Sequence, residues 1–250
     1  MIDYIILACL FPLRVITFFS IHLMSFCLPT INNDTSPFIH YLFSTMNLLI
    51  LLSVGLCPNK IIDQRQHNIQ TKIITFQHRT FADGYIMNYL FGPISYVFRA
   101  RFKDNIFIKN FIQKYGGVAV SAESKQGSSK EIIDYCKTST NKLAIAPEDI
   151  IDYKKRIISN NKLNVFRTGA FVPLLPIQPV VFKFYDESPI WRNYPQSAES
   201  TPHWFLRRFL SPITLFDCYL LEECSPKNNT TPQEYRDCVR DQMLQSIKDF

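Results

Sequence analysis

Charge is scarce in this chain. Only 19% of its 250 residues are Asp, Glu, Lys or Arg, against about 25% in ordinary globular domains. With 47% hydrophobic and 14% aromatic residues beside it, that scarcity excludes intrinsic disorder, because the chain has ample apolar surface to bury. Glycine is also rare, at 7 residues, which excludes collagen-like and glycine-rich linker architectures. No Cys-x-x-Cys pair occurs and no Cys/His cluster has metal-ligand spacing, so no metal site is implied. There is no Lys/Arg run and no zinc-finger or RNP-like motif, and nucleic acid is not expected as a partner. Internal repeats and low-complexity tracts are absent as well.

What is present is enough length for one substantial core, but not for two full domains. Lys and Arg number 27 against 21 Asp and Glu, a net charge of +6. A mild basic excess suits an anionic partner such as a phosphorylated ligand or an acidic lipid surface. The 7 cysteines are odd in number, and Cys9, Cys27 and Cys57 lie in apolar stretches. There a thiol behaves as a small hydrophobe, and unpaired thiols point to a reducing compartment.

The mean hydropathy of -0.01 averages two unlike parts. Tyr4 to Leu28 is almost wholly apolar, broken by Pro12, Arg14 and His22, and Tyr41 to Cys57 is a second uncharged apolar stretch. A bilayer core needs about 20 apolar residues as a helix. The first stretch is long enough but carries Arg14, which is costly at mid-bilayer, and the second is marginal. Two readings stay open: two transmembrane helices, or a membrane hairpin dipping into one leaflet. In both, Arg14 snorkels toward head groups, and Lys60, Arg65 and Lys72 favour the cytoplasmic side for the body. A cleaved signal peptide is the weaker alternative, since Met1-Ile2-Asp3 offers no basic start. The expected division is a hydrophobic membrane-anchoring segment at 1–59 and a globular domain at 60–250.

Within the body, Lys72–Phe76, Gly117–Ser121, Lys142–Ala146 and Ile213–Leu221 read as strands. Val172–Phe184 reads as a strand broken by Pro173, Pro176 and Pro179. Asp104 starts a helix through Lys114, ended at Gly116-Gly117. Ser128-x-x-Glu131 and Thr231-Pro232-Gln233-Glu234 are capping boxes. Behind the second, Tyr235, Val239, Met243 and Ile247 recur every fourth residue and form one apolar face. Strands alternating with helices predict an α/β fold with a mainly parallel sheet flanked by helices.

The chemistry concentrates in Gln77-His78-Arg79-Thr80-Phe81-Ala82-Asp83. A strand ends, and His78 and Asp83 follow on a turn into a helix. In open α/β sheets, ligands bind at the carboxyl ends of strands. A carboxylate there holds one imidazole nitrogen and leaves the other for substrate, as in the His–Asp half of a triad.

Other motifs stand around this pair in a set order. Gly116-Gly117-Val118-Ala119-Val120 follows it, then Ala146-Pro147-Glu148-Asp149. Next come Phe166-Arg167-Thr168-Gly169-Ala170-Phe171 and Pro176-Ile177-Gln178-Pro179-Val180. Taken together, they resemble the glycerolipid acyltransferase superfamily, with its His-x4-Asp, glycine-hydrophobic, Pro-Glu-Gly and proline-rich blocks. The last two segments, with Leu10-Phe11-Pro12-Leu13-Arg14, resemble the lysophosphatidylcholine acyltransferase branch most.

The resemblance implies an acyl-CoA-dependent lysophospholipid or lysophosphatidate acyltransferase at the endoplasmic reticulum membrane, with its domain facing the cytosol. His78 would be the base and Asp83 its orienting acid. Glu148, Arg167 and Gly169 would hold the acyl acceptor. Acyl-CoA would be a co-substrate, membrane lipids would be partners, and no cofactor would be needed. The chain departs from the pattern with Gln77 for Asn, Asp149 for Gly, and no Arg closing the second block, where Lys125 is the nearest cation. Those departures leave open a second reading, a catalytically degraded scaffold on the same fold at membranes or lipid droplets.

Overall fold

The computed structural model describes residues 2–27, 36–66, 70–80, 82–100, 112, 115–121, 127–148, 162–185 and 209–248. Two helices lead, α1 (Ile2–Cys27) and α2 (Pro37–Ser53). They are followed by β1 (Leu56–Asp63), β2 (Ile73–Phe76), α3 (Asp83–Phe91), β3 (Ser95–Arg99), β4 (Gly117–Val120), α4 (Gly127–Thr138), β5 (Leu143–Ile145), β6 (Ile177–Phe184), β7 (Thr214–Leu220) and α5 (Pro232–Lys248). The strands form one seven-stranded sheet in the order β1-β7-β6-β2-β5-β3-β4. Pairing is parallel from β6 through β2, β5 and β3 to β4, antiparallel between β6 and β7, and parallel again between β7 and β1.

Side chains alternate across this sheet and bury both of its faces. On one face Ile74, Phe76, Val180, Phe182 and Phe216 pack with α1, α2 and α3 through Phe18, Met46, Leu51 and Ile86. On the other, Ile73, Ile145 and Val181 pack with α4 and α5 through Ile132, Tyr235, Val239, Met243 and Ile247. The apolar stripe read from the sequence on α5 is therefore its buried face. The capping box ahead of it forms: the Thr231 hydroxyl donates to Glu234 Oε2 at 2.8 Å and accepts the Glu234 N–H at 3.3 Å. By contrast α4 already begins at Gly127, so Ser128 lies inside the helix. The helix expected from Asp104 to Lys114 falls largely outside the described residues. Strands β1 and β3 were not legible in the sequence. β1 is an edge strand carrying Pro58, with a register shift between Pro58 and Lys60, the placement that proline tolerates.

The proline-rich stretch resolves differently from its reading. Pro173 and Pro176 precede β6, and only Pro179 lies within it, in an unbroken strand between β2 and β7. The Leu221 N–H donates to the Pro179 carbonyl at 3.1 Å. In an antiparallel pair the Pro179 nitrogen would return a bond to the Leu221 carbonyl, but proline has no proton to give. The neighbouring side chain supplies it, because Gln178 Nε2 donates to the Leu221 carbonyl at 2.6 Å.

The N-terminal reading is overturned. Among the described residues no helix is long and apolar enough to cross a membrane. The expected transmembrane helices or membrane hairpin, and the endoplasmic reticulum membrane placement that rested on them, are corrected accordingly. One face of each helix covers the sheet, through Phe18 and Ile21 of α1 and Met46, Ile50 and Leu51 of α2, while Leu13, Ile16, Phe19, Leu23, Phe38 and Tyr41 are exposed. Phe18 stacks edge-on against Phe209 at 5.4 Å between ring centres. Arg14 does not snorkel to head groups: its Nη1 donates to the carbonyls of Phe209 at 3.1 Å and Ser211 at 2.5 Å. His22 ties α1 to α3, its Nδ1 donating to the Phe18 carbonyl at 2.7 Å and its Nε2 accepting the Tyr85 hydroxyl at 2.8 Å. That pattern needs a neutral imidazole.

Two outcomes follow from these contacts. Gln178→Met removes the donor from a buried carbonyl at nearly constant volume. Urea denaturation is expected to show a loss of about 1–3 kcal/mol. Burial lowers the His22 pKa from its ordinary value, more than its bond to Phe18 raises it. Below about pH 6.5 the unfolded chain takes up a proton that the folded one resists. Stability therefore falls as pH drops through that value toward the lowered folded pKa. Melting at pH 7.5 and 5.5 is expected to show a smaller acid loss for His22→Gln than for the unsubstituted protein.

Candidate active site

β2 lies inside the sheet, flanked by β5 and β6 and parallel to both. Its carboxyl end is thus the kind of place where an open α/β sheet gathers function. The chain leaves β2 at Phe76 and enters α3 at Asp83. Asp83 occupies the first turn of α3, where the helix dipole favours a carboxylate. Its side chain folds back over the turn. Oδ2 accepts His78 Nδ1 at 2.7 Å and the Arg79 N–H at 2.7 Å, and Oδ1 accepts the Thr80 N–H at 3.0 Å. A carboxylate beside Nδ1 fixes the proton there in the neutral ring, so Nε2 carries the lone pair. The Asp83 side chain is 3% exposed and that of His78 is 23% exposed. The ring is therefore held from the protein side and reachable from solvent.

β5 delivers the next group. Thr75 of β2 pairs with Ile145 of β5, and three residues beyond that pair His78 meets Glu148. Glu148 Oε1 accepts the His78 N–H at 2.7 Å. Oε2 accepts the Asn164 N–H at 3.0 Å and Asn164 Nδ2 at 2.5 Å. Arg79 Nη1 stands 3.7 Å from Oε2, and Arg79 Nε donates to Gln77 Oε1 at 2.5 Å. His78, Asp83 and Glu148, expected together from the sequence, are thus joined in one hydrogen-bonded cluster.

Arg167 and Gly169 sit one step away. Glu148 and Phe166 form an antiparallel bridge, and the Arg167 N–H donates to the Pro147 carbonyl at 2.8 Å. Arg167 is exposed, and Gly169 is half-buried in the short turn Thr168–Ala170. A Cβ added at Gly169 would meet only Ser129 Oγ, at 3.8 Å, so local packing does not demand glycine there. Asp149 and Lys125 lie outside the described residues. The glycine block is remote, because β5 and β3 separate β4 from β2. Its first glycine is needed for packing: Gly116 has φ +76°, and a Cβ there would meet Ser95 Oγ and Tyr135 Oη at 3.0 Å. Among the described residues no group of His, Cys, Asp and Glu could hold a metal ion.

Three members of the cluster were missed in the sequence as site residues: Arg79, Asn164 and Gln77, of which Gln77 was noted only as a departure from the Asn of the block. Each is buried. The one signal available was a lone cation, Arg79, between His78 and Asp83 at the start of α3.

No family model matches the chain, and no curated protein does. Among solved structures it is similar to the 1-acyl-sn-glycerophosphate (LPA) acyltransferase PlsC from Thermotoga maritima, with a TM-score of 0.63 at 13% identity. The similarity covers 100% of this chain and 97% of that one. The chain therefore has the fold of that acyltransferase, with a His–Asp pair at the carboxyl end of β2, and the likeness does not single out the lysophosphatidylcholine acyltransferase branch.

Proposed function

We propose that the protein is an acyl-CoA-dependent O-acyltransferase acting on a lysophospholipid or lysophosphatidate. The observation that carries this reading is the 2.7 Å bond from His78 Nδ1 to Asp83 Oδ2, on a turn leaving β2. His78 Nε2 accepts the proton of the glycerolipid hydroxyl as its oxygen attacks the thioester carbonyl carbon. The ester C–O bond forms, the C–S bond breaks, and the imidazolium returns its proton to the departing CoA thiolate. Asp83 holds the ring and stabilises its cationic form. The thioester is already activated, so no acyl-enzyme is required. The fold shared with a lysophosphatidate acyltransferase supports this chemistry.

The net charge of +6 supports anionic substrates. Arg167, exposed and forked, suits the acceptor phosphate, and the half-buried Gly169 leaves the adjoining backbone approachable. Transfer of labelled acyl groups from acyl-CoA to a panel of lysophospholipids tests the reading. His78→Ala is expected to lower the rate at least about 100-fold, the scale of a lost general base, with Asp83→Asn falling in the same direction. Transfer undiminished in His78→Ala would rule the reading out.

A further inference from the structure

Arg79 follows His78 directly, yet its side chain turns into the protein. It is 3% exposed, and the side chain of Glu148 is 0% exposed. One residue thus reaches both carboxylates of the cluster. The Arg79 main chain donates to Asp83, and its guanidinium lies 3.7 Å from Glu148 Oε2. The same guanidinium donates to Gln77 Oε1 and to the Lys162 carbonyl. Glu148 is enclosed in turn, with the His78 N–H on one oxygen and two Asn164 donors on the other. A carboxylate with no exposed surface and protein donors on both oxygens is closed to a substrate head group.

We propose that Glu148 and Arg79 are positioning residues of the transfer, Glu148 holding the His78 peptide and Arg79 setting the Glu148 carboxylate in place. The proposal rests on the reading of His78 as base. Without the Arg79 guanidinium, which also ties Gln77 and the Lys162 carbonyl to the turn, the buried Glu148 carboxylate loses its counter-charge and its fixed place. In Glu148→Gln one of the two terminal atoms becomes a donor, so the side chain no longer accepts from both sides. The His78 peptide then loses its anchor on the β5 side, while Asp83 still pulls from α3, and the ring swings off line. Lysine does not replace Arg79, because a single ammonium cannot serve Gln77, Lys162 and Glu148 along three fixed directions.

The experiment measures kcat and KM separately, with ring ¹⁵N spectra of histidine-labelled protein beside them. For Glu148→Gln and Arg79→Lys, kcat is expected to fall between about tenfold and 100-fold, the scale of a misplaced reacting group. KM for the lysophospholipid is expected to stay within about threefold, since neither residue touches the acceptor. The His78 ring signals are expected to lose the pure Nδ1–H tautomer in both variants. The double variant Arg79→Met with Glu148→Gln is expected to recover stability relative to Arg79→Met, because it removes both charges. If Arg79→Met does not fold, Arg79→Lys alone carries the arginine arm. A rise in KM with kcat unchanged would make Glu148 an acceptor ligand and overturn the proposal. So would ring signals that do not change in either variant. Should the unsubstituted protein transfer no acyl group, the functional reading fails, while the ring signals still decide the positioning role.

Discussion

Parallel pairing of β2 with β5 carries two chain segments out of the sheet side by side and in the same direction. That geometry sets the whole cluster. With Thr75 opposite Ile145, the residues that follow are forced into register, and the main chain of His78 comes against the side chain of Glu148. α3 then begins close enough for Asp83 to reach back to the imidazole. Two carboxylates, from elements distant in sequence, grip one turn from opposite sides. Burying them together is unfavourable unless a cation accompanies them. Arg79 meets that need from within the turn itself, so the charge balance of the site is built into the turn that presents His78.

Local signals were legible where the chain's own neighbours decide the outcome. The Thr231 capping box and the four-residue spacing from Tyr235 to Ile247 specify α5 without help from elsewhere. The short apolar runs Ile73–Phe76 and Leu143–Ile145 likewise specified two strands that pair directly. His78 and Asp83 lie within one short segment, and their spacing pointed to each other. Arg79 and Asn164 escaped because their roles depend on strand order. Nothing in a stretch reading His-Arg-Thr distinguishes a buried arginine from a solvated one until β5 and the 163–166 segment are placed beside it.

The N-terminal helices show the same limit from the other direction. An apolar run suits a bilayer and a protein core equally well, and composition alone cannot choose. The difference lies in the partners of Arg14, the carbonyls of Phe209 and Ser211, nearly two hundred residues away in the chain. An arginine that looked like an obstacle to burial is held by main-chain oxygens, and His22 is held similarly by Phe18 and Tyr85. The polar interruptions in α1 are therefore its attachment points to the body.

Gln178 and Pro179 have a consequence for how this chain can vary. A side-chain amide stands in for a main-chain N–H that the next residue cannot provide. The two positions are therefore structurally coupled. Replacing the proline with a residue that bears an amide proton makes the glutamine's donor redundant, since a carbonyl with two lone pairs accepts both. Losing the glutamine first leaves the carbonyl bare. The route from a Gln–Pro strand to an ordinary one therefore has a preferred order, the proline changing before the glutamine, because only the reverse order strips the Leu221 carbonyl of its donor.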